Sequence, residues 1–169
     1  MSEVLTVVDM AVGHIEAFGK MMVDMAAEAP RNYSVTPEYL AEYVSGQRFM
    51  DGMAKSIASN KAGRFVALDG QDCLMGAVET VARDDSLRIG NMYVVPPARS
   101  HGIGALLLSA CEERALYDDC PRLSLVVGSE NHDARRFYEY HGFHTLNPPE
   151  LVTWEIHPGV YGETLAKEL

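Results

Sequence analysis

Arg99, Gly102 and Gly104, separated by Ser100-His101 and Ile103, have the residue types and spacing of an anion cradle. Arginine supplies a permanent charge on a forked donor set, and the glycines let an anion approach the backbone. Just before them Met92 to Val95 has the content of a buried strand, which Pro96-Pro97 must end because neither proline can donate to a ladder. Just after them Ile103, Leu106, Leu107, Ala110, Cys111 and Ala115 recur at helical spacing and predict a helix to about Asp118. The stretch therefore sits where a strand ends and a helix begins, with unpaired N–H groups and the positive end of the helix dipole aimed outward. That arrangement suits a pyrophosphate. It is neither the dinucleotide fingerprint, which needs a third glycine, nor a P-loop, which needs Lys-Ser or Lys-Thr.

A second group of residues follows the short predicted strand Arg122 to Val127: Asn131, Ala134, Phe137, Tyr138, Gly142 and Phe143. Ala134, Phe137, Tyr138 and His141 share one helix face, and Gly142 falls where a left-handed C-terminal cap would stand. The first group resembles the acyl-CoA loop of the GNAT superfamily of N-acetyltransferases, which reads Arg or Gln, two residues, Gly, one residue, Gly or Ala. Val94 and Pro96 stand where that family has Val-x-Pro. The second resembles the family's closing pattern, Asn-x-x-Ala-x-x-Phe-Tyr-x-x-x-Gly-Phe. The motifs cover about residues 92 to 143. Ser100-His101 departs from the Gly and basic residue common after the arginine, which removes one phosphate contact but leaves the backbone donors.

The resemblance implies an α/β (α+β) GNAT fold: a central, mostly antiparallel mixed sheet of six to seven strands, flanked by about four helices and splayed at the acyl-CoA site. It implies acetyl-CoA as co-substrate and an amine acceptor, either a small molecule or a protein. Backbone amides of Ser100, His101, Gly102, Ile103, Gly104 and Ala105 would bind the pyrophosphate. Tyr93, Val94 and Val95 would run beside the pantetheine, with an N–H near Tyr93 or Val94 polarising the thioester. Asn131 matches a position that helps hold the cofactor, although capping the next helix is its plainer role. Tyr138 matches the acid that protonates the departing thiolate; ordinary values near 8.5 for a thiol and 10 for a phenol make the pair nearly matched.

The base is less legible. An amine with a pKa near 10.4 costs about 4 to 5 kcal/mol to deprotonate at pH 7. Neither Arg88 to Val95 nor Arg122 to Val127 carries an acid. Glu79 is the nearest candidate, followed by Glu130, with a water chain to solvent as the other route. The missing strand acid supports one competing reading, a non-catalytic acyl-CoA-binding or regulatory module.

The 169 residues, 47% hydrophobic and 22% charged, fit one domain spanning 1–169. No basic leader or long apolar run is present, so a cytoplasmic protein with no membrane partner is expected. A net charge of -10 argues against a nucleic-acid partner and weakly favours a cationic acceptor. Cys73, Cys111 and Cys120 lack metal spacing, so no metal is expected, and they read as buried, reduced thiols with Cys73 opening a strand. The implied fold often ends in exposed strand edges compatible with a homodimer, for which no residue here argues.

Along the chain, Val4 to Val8 predicts a strand and His14 to Ala29 a helix with Ile15, Phe18, Met21, Met22 and Met25 inward. Helices follow near 37 to 45, where Thr36-Pro37 makes a good start, and 48 to 59. Phe49, Met50, Met53, Ala54, Ile57 and Ala58 give the latter an apolar face, for core or for a flexible apolar ligand. Arg64 to Leu68, Leu74 to Val81 and Leu87 to Val95 predict a meander, and Leu151 to Ile156 a final strand. The tail from His157 carries no signal. The acceptor is expected between the loop at Pro30 to Thr36 and that at His144 to Glu150, with Glu28 and Tyr33 as contacts.

Overall fold

The computed structural model describes residues 5–29, 35–61, 63–146, 151–153 and 161–169. Tyr33 and most of both loops assigned to the acceptor lie outside these. Strand β1 (Thr6–Asp9) leads to helices α1 (Ile15–Glu28), α2 (Pro37–Ser45) and α3 (Gln47–Ser59). Then come β2 (Arg64–Leu68), β3 (Leu74–Ala82), β4 (Leu87–Val94), α4 (Ile103–Tyr117), β5 (Arg122–Gly128) and α5 (His132–Tyr140). The chain closes with β6 (His144–Thr145), β7 (Leu151–Thr153) and β8 (Tyr161–Glu168). The sheet order is β1-β2-β3-β4-β5-β8-β6, with β7 also on β8. Every pairing is antiparallel except β4 with β5, so the sheet is mixed and mostly antiparallel.

Alternation along the strands divides the interior in two. Ala67, Val78, Leu87, Ile89, Leu123, Leu125 and Leu165 face α4, burying Ile103, Leu107, Leu108, Cys111 and Ala115. Val66, Leu68 and Ala77 face the other way, against Ile15, Phe18 and Met21 of α1 and Phe49 and Met53 of α3. The methionines of α3 are therefore core. Leu106 departs from the expected α4 face: it is 45% exposed, and Leu108 is buried in its stead.

The parallel pair positions the site. β4 and β5 are in register only at Leu87 with Leu123 and Arg88 with Ser124, after which both continue unpaired with each other. On its other edge β4 carries a bulge, where the β3 register slips between Ala77–Tyr93 and Glu79–Gly90. Asn91, at φ 46°, takes up the extra residue. Glu79 holds it there: one carboxylate oxygen accepts from Asn91 Nδ2 at 2.7 Å, the other from Arg64 Nε at 2.6 Å.

Three expectations need correction. The long last strand is Tyr161–Glu168, not Leu151 to Ile156, of which only Leu151–Thr153 is described as strand. β8 was illegible because its inward positions are the small Gly162, Thr164 and Ala166 beside a lone Leu165, and β5 pairs along its whole length. Cys73 is exposed in the turn before β3, where Asp69 Oδ1 accepts from its N–H. Cys111 is buried, and desolvation, then the charge of Glu112, pushes its thiol up to about 12. The first strand is Thr6–Asp9; Val4 lies outside the described residues.

Gly76 lets α4 seat against the sheet, since a Cβ there would lie 2.9 Å from the Tyr93 carbonyl and 3.2 Å from Ile103 and Leu107. Gly76→Ala is expected to cost about 1 to 3 kcal/mol by overpacking, read as a lower denaturant midpoint at unchanged m-value.

Candidate active site

The loop read as an anion cradle lies between β4 and α4, at the strand-to-helix junction its spacing predicts. A 3₁₀ turn, Pro96–Ala98, ends the β4 segment, and Gly102, at φ 82°, turns the chain into α4. The first bond of that helix runs from the Leu106 N–H to the Gly102 carbonyl, and no side chain among the described residues caps its start. The amides of Ile103, Gly104 and Ala105 thus precede the helical ladder and point outward with its dipole. Gly104 is a point of close approach: a Cβ would lie 3.1 Å from the Phe137 ring of α5.

From this turn a cleft of about 740 Å³ runs along β4 to α5. Its walls include Tyr93, Val94, Arg99, Ser100, Gly102, Ile103, Gly104, Ala105, Asn131 and Tyr138, all named from the sequence. Val95, His101 and Glu79 are not part of the wall. Val95 donates its N–H to the Met75 carbonyl, and His101 Nδ1 turns back to the Arg99 carbonyl at 2.7 Å. Glu79 is committed to Arg64 and Asn91, which makes it a buttress of the bulge. Glu130 is exposed.

Where the strands part, a cavity of about 110 Å³ continues from the cleft through the sheet, walled by Gly90, Asn91, Met92, Val126 and Tyr138 among others. Tyr138 is buried, and its hydroxyl lies 3.3 Å from Met92 Sδ, a weak acceptor. Its ring meets Phe137 and Phe143 edge-on, which fixes its direction. Asn131 caps α5, its side chain accepting from the Ala134 N–H at 3.3 Å. Met25, Met92 and Phe137 also line the cleft; their periodicity could announce only that they are inward.

Arg99 is not aimed freely into the cleft. Its guanidinium makes paired bonds to Glu28 at 2.5 and 2.7 Å, its Nε donates to the Val94 carbonyl at 3.0 Å, and its charge lies 5.2 Å from the Tyr93 ring centre. The Tyr93 hydroxyl donates to the same carboxylate at 2.7 Å. The Arg99 hydrogen bond is the main cause holding the Glu28 carboxyl below its ordinary value, although burial opposes it. Burial first, then the Glu28 hydrogen bond, pushes the Tyr93 phenol up to about 12. The trio ties the end of α1 to the loop between β4 and α4. The other acid on the wall, Asp133, is paired with Arg136.

The class that this fold and cleft define is that of the GNAT acetyltransferases. The chain belongs to the acetyltransferase (GNAT) family, whose model matches residues 21–143. YdhI of Bacillus subtilis (strain 168) is 28% identical over 99 residues, which are 56% of this chain and 50% of that protein. The matched stretch thus spans half the length of that relative. A GNAT-family acetyltransferase from Staphylococcus aureus Mu50 superposes with a TM-score of 0.76 at 13% identity, covering 98% of this chain and 99% of the other. The PaiA N-acetyltransferase of Thermoplasma acidophilum, solved with coenzyme A, gives 0.75 at 14% identity, with 98% and 99% covered. Spermidine N-acetyltransferase of Vibrio cholerae, solved with CoA and spermine, gives 0.75 at 18% identity, with 97% and 95% covered. At these identities the likeness establishes the fold.

Because the Glu28 carboxyl titrates lower in the folded chain than when unfolded, its ion pair stabilises the fold above the ordinary carboxylate value. That stabilisation is lost as pH falls through the lowered one. Both side chains are 42% exposed, so the contribution is under about 1 kcal/mol. Glu28→Gln is expected to lower the urea midpoint by a constant amount between about pH 5 and 7, the gap closing below about pH 4.

Proposed function

We propose that the chain is an acetyl-CoA-dependent N-acetyltransferase that passes the acetyl group to a primary amine by direct attack in a ternary complex. The observation that carries this reading is one continuous cleft. It joins the uncapped start of α4, the unpaired edge of β4 and the Tyr138 hydroxyl, with an opening through the sheet beside them. Its family, and two neighbours solved with CoA, support the same donor.

In this reading the amides of Ile103, Gly104 and Ala105 take the pyrophosphate. The β4 edge from Ile89 to Val94 pairs with the amides of the pantetheine arm as an added strand. Arg99 serves the loop by positioning it through Glu28, and its phosphate role passes to the backbone. The amine nitrogen attacks the thioester carbon through the opening between β4 and β5. A backbone N–H at the bulge near Tyr93 takes up the negative charge on the carbonyl oxygen. The carbon–sulfur bond then breaks, and Tyr138 gives its proton to the leaving thiolate.

The proton lost by the amine goes to water, since Glu28 and Asp133 are engaged by arginines. The same engagement favours a second reading, an acyl-CoA-binding module without turnover. Acetyl-CoA at 100 times its dissociation constant is expected to add about 2.7 kcal/mol of stability, with no comparable shift from NADH or ATP. Tyr138→Phe should keep that shift and lower thiol release about 100-fold or more. Undiminished release would remove Tyr138 as the acid, and no release from the wild type with any amine would favour the binding module.

A further inference from the structure

A second cavity, of about 390 Å³, lies where the gap between β4 and β5 closes, and its wall is polar. Leu87, Ile89, Leu123, Leu125 and Leu165 point into the core beneath α4, so Arg88, Ser124 and Thr164 point to the opposite face, the one that α1 and α3 cover farther along the sheet. Ser86 and Ser124 are each 5% exposed and satisfy one another through a 2.9 Å hydroxyl pair. Among the described residues, two buried atoms of this wall's side chains have no partner: Thr164 Oγ1, in a residue 2% exposed, and Arg88 Nε. Arg122, also on the wall, is taken up by Asp85 and Glu168.

Along β4 and β5 this cavity precedes the opening assigned to the amine by one step on the same face. Arg88 and Ser124 form the last parallel pair before the strands part. Gly90 and Val126, the next positions on that face, line the gap, and Thr164 is the register partner of Val126. Along β4, Arg88 stands three residues, or about 10 Å, from the bulge at Asn91.

A buried donor without an acceptor leaves its desolvation uncompensated. A guanidinium can only donate, so a group that satisfies both Arg88 and Thr164 must accept. A carboxylate has the chemistry to accept from both a guanidinium and a hydroxyl, and with an arginine it does so in a planar, paired arrangement. Arg83, Arg88 and Arg122 stand against Asp84 and Asp85 on this wall, which leaves one formal positive charge and suits a singly charged anion better than a phosphate or a second ammonium. Resting on the acetyl-transfer reading, we infer that the acceptor is a primary amine whose far end carries a carboxylate, seated on Arg88 and Thr164. Polyamines are then poor acceptors for this chain.

The test compares 6-aminohexanoate, hexylamine and 1,6-diaminohexane as acceptors with the full chain, after acetyl-CoA binding has been measured by calorimetry. Expected is a kcat/KM for 6-aminohexanoate roughly tenfold or more above both others, the effect of one charge-assisted hydrogen bond. Arg88→Met and Thr164→Val should each bring that ratio toward one, with Arg88→Lys retaining part of it. Either variant suffices if the other fails to fold. Acetyl-CoA binding with turnover of another amine but not of 6-aminohexanoate, without a carboxylate preference, or with the preference intact in the variants overturns this proposal alone; binding with turnover of none of the three overturns it together with the transferase reading. No acetyl-CoA binding overturns the functional reading and this one with it.

Discussion

The parting of β4 from β5 is the constraint on which the rest depends. Inside a sheet, a backbone that loses its neighbour must find other partners for its N–H and C=O groups, or remain open to a ligand that supplies them. β4 manages this on one edge only, through β3 and the Asn91 bulge, which adds local twist to the strand. Tyr138 of α5 and Asn131, which caps that helix, also line the gap. The sheet thus keeps the order of an antiparallel scaffold with one slot through it.

What closes the slot's ends differs chemically. At one end the cleft meets helix amides, a fixed field of partial positive charge that asks for an anion. At the other, the strands rejoin at Arg88 and Ser124, and the face away from α4 turns polar. Residues two apart on one strand therefore face different tasks according to how far they stand from the point of parting.

The clamp of Glu28 on Arg99 and Tyr93 shows how a motif residue can be present and still act indirectly. Its charge and fork suit a phosphate, yet α1 brings a carboxylate against it, and a paired guanidinium carries little net charge toward the cleft. Glu79 is a similar case. It sits beside the centre of the sheet, but Arg64 and Asn91 occupy both oxygens, so it holds backbone geometry.

The loop from Pro96 to Gly104, the α4 and α5 starts and the face carrying Tyr138 were legible in the sequence, because caps, left-handed glycines and helical repeats are set by residues a few places apart. The meander from Arg64 to Val94 was legible for the same reason. β8 was not, since its small inward residues earn their burial only from pairing with β5, more than thirty positions upstream. Nor were the Glu28–Arg99 pair, the buttress role of Glu79 or the unpartnered Arg88 Nε and Thr164 Oγ1. The sequence by itself determined which chemical groups stand at each strand and helix end. Only the tertiary structure decided which of them are spent on each other and which are left facing a cavity, because that depends on distances between segments that no local pattern encodes.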